Sequence, residues 1–192
     1  MLADFLALHP QVTVQLDATN RRVDVVGEGV DVAIRVRPPP LEDSDLVVRV
    51  LARRVWCTSA SPALLQRLGT PQVPADLAMM PTVDLASPSQ QHVWEYSGPG
   101  EIQASVHHRP RLVSDDMIAL RAAAVAGVGL LMLPRMMITD ELESGALLPV
   151  LPEWVPKHGI VHAVFPSRRG LLPAVRALID YLAERFEALD EP

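Results

Sequence analysis

A chain of 192 residues that is 49% hydrophobic is long enough to bury one or two small cores. A formal net charge of −6 and a pI near 5.5 argue against a basic surface that grips nucleic acid over the whole chain, leaving room only for a local basic patch. Cys57 stands alone, which excludes an intramolecular disulfide and favours a reducing compartment. No cationic stretch followed by an apolar one opens the chain as a secretory signal would, and the most apolar run, residues 122–133, falls short of the roughly 20 residues that span a bilayer. These features predict a soluble, cytoplasmic α/β protein.

Residues 2–8 place Leu2, Phe5 and Leu6 at helical spacing, and His9-Pro10 ends that helix. Residues 12–16 alternate Val12, Val14 and Leu16 with Thr13 and Gln15, the pattern of a strand with one buried face. A polar turn at 17–20 leads to a short helix at 22–28, ended by Gly29, and then to a second buried strand at 31–36. Strand, helix, strand predicts a parallel pair with a right-handed crossover. Pro38, Pro39 and Pro40 force an extended linker. Strands follow at 46–51 and 55–58, with Arg53 and Arg54 between them, then a helix at 61–68 with Pro62 in its first turn and a short one opening at Pro74. Residues 81–109 carry little periodicity apart from a hairpin: 94–96 and 102–106 flank Ser97-Gly98-Pro99-Gly100.

The chain is organised around residues 114–135, introduced by a strand at 111–113. Ser114 is expected to cap a helix, with Asp115 and Asp116 suiting the positive end of its dipole and Gly127 stopping it in a left-handed conformation. The apolar run 130–133 reads as a strand buried on both faces. A helix at 136–142 ended by Gly145, strands at 147–151 and 160–165, and a basic loop at 167–170 follow. Residues 173–189 then form a helix whose apolar face is Val175, Leu178, Ile179, Leu182 and Phe186.

Several motifs dissolve on inspection. Gly127-Val128-Gly129 and Gly27-Glu28-Gly29 sit after a helix and before a strand, the reverse of what pyrophosphate binding needs. His107 and His108 are adjacent on a strand, point to opposite faces, and so cannot chelate one metal. Cys57 has no evident activating partner and reads as a small buried apolar residue. No Gly-x-Ser-x-Gly, His-Glu-x-x-His, P-loop or Cys-x-x-Cys occurs, so neither an enzyme nor a bound metal or cofactor is expected.

Five segments in order carry a family resemblance: FLALHPQVTVQLDATNRRVDVVGEGVDVAIRV, SPALLQRLGTPQVPADL, SDDMIALRAAAVAGVGLLMLPRMM, ESGALLPVLPEW and AVFPSRRGLLPAVRALIDYLAERF. Together they cover nearly the whole chain, which resembles the effector-binding domain of LysR-type transcriptional regulators. The resemblance implies a type 2 periplasmic-binding-protein-like fold: two α/β subdomains, 1–53 with 160–192 and 54–159, joined by two crossover strands around a small-molecule site. It implies a homodimer or homotetramer in which residues 2–8 and 12–16 meet the second subdomain of a partner. DNA binding in the family belongs to an N-terminal winged helix-turn-helix that these residues do not include. The family's first effector-domain strand is also absent, which suggests a fragment or a truncated reading frame.

On that pattern the effector, a small and preferably anionic metabolite, meets residues at strand ends. Thr19 and Asn20 offer a hydroxyl and an amide, or are an ordinary polar turn. Arg35 offers a bidentate guanidinium, or pairs with Asp31 or Glu42, and Arg37 is similar but nearer the proline linker. Thr58 and Ser59 end the first crossing strand, or cap the helix that begins near Pro62. Ser114 points ligand-ward from a helix start with Asp115 beside it, although for the two aspartates plain helix-dipole complementarity is the better explanation. A transport-type solute-binding protein of the same fold is the rival reading.

Overall fold

The computed structural model describes residues 1–19, 21, 23–37, 46–86, 91–157, 159–166 and 171–188, with Arg37 described by its backbone alone. In chain order these form α1 (Leu2–Leu8), β1 (Ala33–Arg37), β2 (Val47–Arg54), β3 (Trp56–Ala60), α2 (Pro62–Leu68), β4 (Thr82–Leu85), β5 (Val93–Ser97) and β6 (Gln103–His107). They continue as β7 (Pro110–Ser114), α3 (Met117–Val125), β8 (Leu130–Pro134), α4 (Thr139–Ser144), β9 (Leu148–Pro149), β10 (Val155–Pro156), β11 (Gly159–Phe165) and α5 (Pro173–Glu187). Two compact units result, Met1–Arg54 with Gly159–Pro192, and Val55–His158.

The first unit is built on a three-stranded sheet of order β1-β11-β2, antiparallel throughout. Its central strand β11 is buried along its whole length. Val161, Ala163 and Phe165 pack with Leu51 and Ala52 of β2 and with Val175 and Ile179 of α5. Of the apolar face read from the α5 sequence, Val175, Ile179 and Phe186 meet this core, while Leu178 and Leu182 are half-buried outside it. Phe5 of α1 is fully buried, its ring 5.4 Å from that of Tyr181.

Three expectations for this unit fail. Residues 12–16 form no strand, and Leu16 is 72% exposed. Alternation makes a segment able to pair, but a strand exists only where a neighbour takes its N–H and C=O groups. β1 does form, yet it pairs antiparallel with β11, and Ile34 and Val36 remain 44% and 40% exposed, so it is not a strand buried on both faces. The helix expected at 22–28 is reduced to one turn: Glu28 N–H donates to the Asp24 carbonyl, and the Asp24 carboxylate accepts from Val26 and Gly27 N–H. Two glycines and β-branched valines discourage propagation beyond that nucleus, and Gly29, at φ +66°, turns the chain out of it. Asn20, Pro38 to Pro40, Glu42 and the basic loop at 167–170 lie outside the described residues.

The second unit contains a five-stranded sheet of order β7-β4-β8-β3-β9 and a three-stranded antiparallel sheet of order β10-β5-β6. β4 runs parallel to both β7 and β8, and β3 antiparallel to β8 and β9. The apolar run of β8 is buried on both sides as its sequence predicts: Leu130 joins a core with Leu64, Leu77, Trp94 and Tyr96, while Leu131 and Leu133 join another with Val83, Leu120 and Ala124. Gly127, at φ +76°, ends α3, and Val128 N–H reaches back to the Ala123 carbonyl. The β5–β6 hairpin forms around Gly98-Pro99-Gly100 in the expected place.

Other details differ from the sequence reading. Arg53 and Arg54 lie within β2 rather than between strands, and the Arg54 guanidinium sits 5.4 Å over the Phe186 ring. The strand expected at 147–151 shrinks to β9, because Leu151 takes a positive φ of 55°. β4 was not foreseen: its four residues, enclosed between two neighbours, are too short to show a period.

Candidate functional site

Where strands of an open α/β sheet run parallel, ligands collect beyond their carboxyl ends. In the second unit β7, β4 and β8 end together at Ser114, Leu85 and Pro134. The turn after β7 is tightly defined. Ser114 Oγ accepts from Asp116 N–H at 3.0 Å, and the Ser114 carbonyl accepts from Ala86 N–H at 3.3 Å. Ser114 does not cap α3; Asp116 does, its Oδ1 accepting from Ile118 N–H at 2.8 Å and from Ala119 N–H at 3.4 Å. The reason is register. Ser114 is the last residue of β7, opposite Leu85, so the helix starts two residues later than the charge pattern suggests. Asp115 stands exposed at the tip of this turn.

Thr58 and Ser59 are placed elsewhere. Both are buried on β3, opposite Met132 and Leu131. Thr58 Oγ1 lies 2.9 Å from the Tyr96 hydroxyl, and burial pushes that phenol well above the ordinary tyrosine range, so it stays protonated. Ser59 Oγ is buried without a hydrogen-bond partner among the described residues. Neither caps α2; Ser61 does, accepting from Leu64 N–H at 3.3 Å. β3 and β7 are three strand spacings apart in the sheet order, so Ser59 and Ser114 are separated by roughly 14 Å or more. The structure does not bring them together. Cys57, also on β3, is half-buried, and burial pushes its thiol up against the weaker opposing pull of Arg135.

In the first unit Thr19 is exposed, its Oγ1 accepting from Arg21 N–H at 3.3 Å, which is the local geometry of a polar turn. Arg35 is half-buried on β1 opposite His162, and one of its terminal nitrogens donates to the Val23 carbonyl at 2.7 Å. Arg37 ends the same strand opposite Ile160. Two shallow grooves on this unit, of about 420 and 380 Å³, are lined by α5 and β2 and contain none of these residues.

One polar constellation escaped the sequence reading. The Asp84 carboxylate on β4 accepts from His92 Nδ1 at 2.7 Å and from Trp94 Nε1 at 3.1 Å, and lies 3.5 Å from His108 Nε2. His108 Nδ1 lies 2.7 Å from the Thr82 hydroxyl. His107 and His108 do point to opposite sides, His107 exposed and His108 only 8% exposed, but the inward histidine meets His92 across the hairpin. The hairpin register, which pairs Val93 with His107, was the signal that would have placed His92 beside His108.

No helix among the described residues is long and apolar enough to cross a membrane. The sequence pattern of the LysR substrate binding domain matches residues 1–187. An HTH-type transcriptional regulator of Xanthomonas campestris pv. campestris (strain 8004) is 31% identical over 190 residues, covering 97% of this chain and 54% of the relative. The regulator PtxR of Pseudomonas aeruginosa is 30% identical over 184 residues, covering 96% of this chain and 58% of the relative. The chain thus spans little more than half the length of these relatives. Among solved structures, the regulatory domain of CrgA from Neisseria meningitidis superposes with a TM-score of 0.79 at 24% identity, covering 96% of this chain and 89% of that one. Full-length AphB of Vibrio cholerae gives a TM-score of 0.81 at 22% identity, covering 96% of this chain and 62% of that one. The chain belongs to the LysR substrate binding domain family, and its fold is the type 2 periplasmic-binding-protein-like fold of LysR-type regulatory domains.

Proposed function

We propose that this chain is the ligand-sensing part of a cytoplasmic LysR-type transcriptional regulator, that it binds a small anionic metabolite, and that it performs no catalysis. The observation that carries the reading is the family match over residues 1–187, joined by relatives that are themselves named as transcriptional regulators rather than transport proteins. Polar groups within each unit support it. Ser114 and Asp115 occupy the carboxyl edge of the parallel strands, and Arg35 supplies a cationic group on β1 suited to a carboxylate or phosphate, with Arg37 proposed beside it from its place on the strand. Thr19 and Asn20 complete the proposed contacts. Thr58 and Ser59, being buried, serve the interior of the second unit instead.

The effector acts by binding one arrangement of the regulator better than another, since a ligand with equal affinity for both shifts nothing. Self-association as a homodimer or homotetramer is part of this proposal. Exposed apolar side chains support it: Leu8 and Leu16 on one unit, and Ile118 and Val125 along α3 on the other. DNA contact falls to a helix-turn-helix outside the matched residues. The test is calorimetry and thermal shift over a panel of small carboxylates and phosphates with neutral analogues as controls. An anion that raises the Tm of this chain, and binds at least tenfold more weakly to Ser114→Ala, supports the assignment. A panel in which only neutral compounds bind, or a bound anion indifferent to Ser114→Ala, refutes it.

A further inference from the structure

Asp84, His92 and His108 form a compact buried cluster: the Asp84 carboxylate is hydrogen-bonded to His92, while His108 Nε2 lies 3.5 Å from it, buried and without a hydrogen-bond partner among the described residues. Asp84 and His92 are nearly buried, with side chains 14% and 12% exposed, and the His108 side chain is 1% exposed. The His92 and His108 ring centroids are 5.8 Å apart, and the His108 ring packs against that of Trp94 in a tilted contact at 4.3 Å. The 2.7 Å separation of His92 Nδ1 and Asp84 Oδ2 is that of a hydrogen bond, and no group of side chains among the described residues is arranged to hold a metal ion. On its other side the His108 ring shares a hydrogen bond with the Thr82 hydroxyl, 2.7 Å from Nδ1.

Asp84 on β4 and His92 before β5 face His108, and the adjacent His107, though pointing away, adds to the field at the ring; only Asp84 favours a positive charge there. Burial is the largest influence and holds the His108 ring neutral below the ordinary histidine value. The cluster sits where the open end of the β5–β6 hairpin meets β4, at the His108 N–H to His92 carbonyl bond. One residue further along β4, Leu85 pairs with Ser114. At the other end of the hairpin Tyr96 is tied to Thr58, hydroxyl to hydroxyl.

We propose that Asp84, His92 and His108 form an acid-sensitive latch, which holds the open end of the β5–β6 hairpin on β4 near neutral pH and releases it in mildly acidic solution while the rest of the second unit stays folded. The sign follows from His108. Its protonation is suppressed in the latched form and restored to the ordinary value of about 6.5 once the ring is solvated, so the advantage of the latched form is full above that value and shrinks as pH falls below it, by up to about tenfold per pH unit.

Site-resolved amide exchange on the 192-residue chain between pH 7.5 and 5.0, corrected for intrinsic rates, tests this. The expected result is a loss of protection of about tenfold per pH unit below pH 6.5 at Trp94, Val106 and His108, with Tyr96, Ala104 and β8 unchanged. His108→Gln, which keeps a neutral polar group, is expected to abolish the pH dependence. Equal loss at the hairpin and β8 overturns the latch, showing acid unfolding of the whole unit. A pH response that survives in His108→Gln overturns it too. Should that variant not fold, the exchange map of the unaltered chain decides by itself.

Discussion

Thr58 and Tyr96 offer a sharp test of the interior of the second unit. Their hydroxyls meet at 2.9 Å on residues that are 2% and 0% exposed, joining β3 of the large sheet to β5 of the small one. Tyr96→Phe removes one hydroxyl and strands the other in an apolar core, and Thr58→Val does the converse with little change in volume. Leaving a buried hydroxyl unsatisfied costs roughly 1–3 kcal/mol, whereas removing both partners forfeits only the net hydrogen bond, about 0.5–1.5 kcal/mol. Each single variant should therefore lose about 2 kcal/mol, on the order of 4–8 °C in Tm for a chain of this size. The double variant should lose no more than either single one, giving a coupling energy of roughly 1–3 kcal/mol. Urea titrations of the four proteins, followed by far-UV circular dichroism, measure the cycle. Losses that add to within about 0.5 kcal/mol would refute the reasoning, because they would mean that each hydroxyl finds another partner or water when its mate is gone.

Gly129→Ala should destabilise by roughly 1–3 kcal/mol, since an added Cβ would meet the backbone of Thr82 and Pro81 at 2.7–2.8 Å and force β8 away from β4. Gly145→Ala, where the space is open but φ is +74°, should lose only about 1–2 kcal/mol from the backbone, and paired denaturation curves separate the two causes. Above pH 10 the unfolded chain gives up a phenolic proton that buried Tyr96 retains, so stability present below that pH should fall by up to about 1.4 kcal/mol per pH unit as pH rises past it. That slope, read from urea midpoints between pH 9 and 11, should flatten in Tyr96→Phe. The Glu28 carboxylate accepts two hydrogen bonds from Arg21 and one from Asp24 N–H, which hold its pKa at about 2. Its contribution is present above the ordinary carboxylate value and lost as pH falls toward 2; a carboxyl titration by NMR should show Arg21→Ala returning it most of the way, and an unmoved Glu28 would dispose of the pairing.

Residues whose environment is set by their own neighbours in sequence were legible in advance. The run Leu130, Leu131, Met132 and Leu133 has no polar face to offer, so only a strand covered on both sides accommodates it, and its side chains do alternate between two cores. Ser61-Pro62 starts α2, Gly127 ends α3, and Gly98-Pro99-Gly100 turns the hairpin, each because a local backbone preference decides the matter. The spacing of Val175 and Ile179 was enough to name the buried face of α5.

What depended on partners distant in sequence was not legible. Residues 12–16 alternate as well as any strand here, yet form none, because pairing rather than pattern makes a strand. β1 runs antiparallel to β11, a segment more than a hundred residues away, and β4 exists only because β7 and β8 flank it. The same holds for the polar chemistry. Composition placed Asp84, His92, Trp94 and His108 in a stretch with little periodicity, and only the meeting of β4 with a folded hairpin makes them one buried cluster. Local backbone and hydrophobic preferences act over a few residues and are written in the sequence; which strands become neighbours is settled by how the whole chain buries its apolar area and satisfies its backbone, and that only the tertiary structure decides.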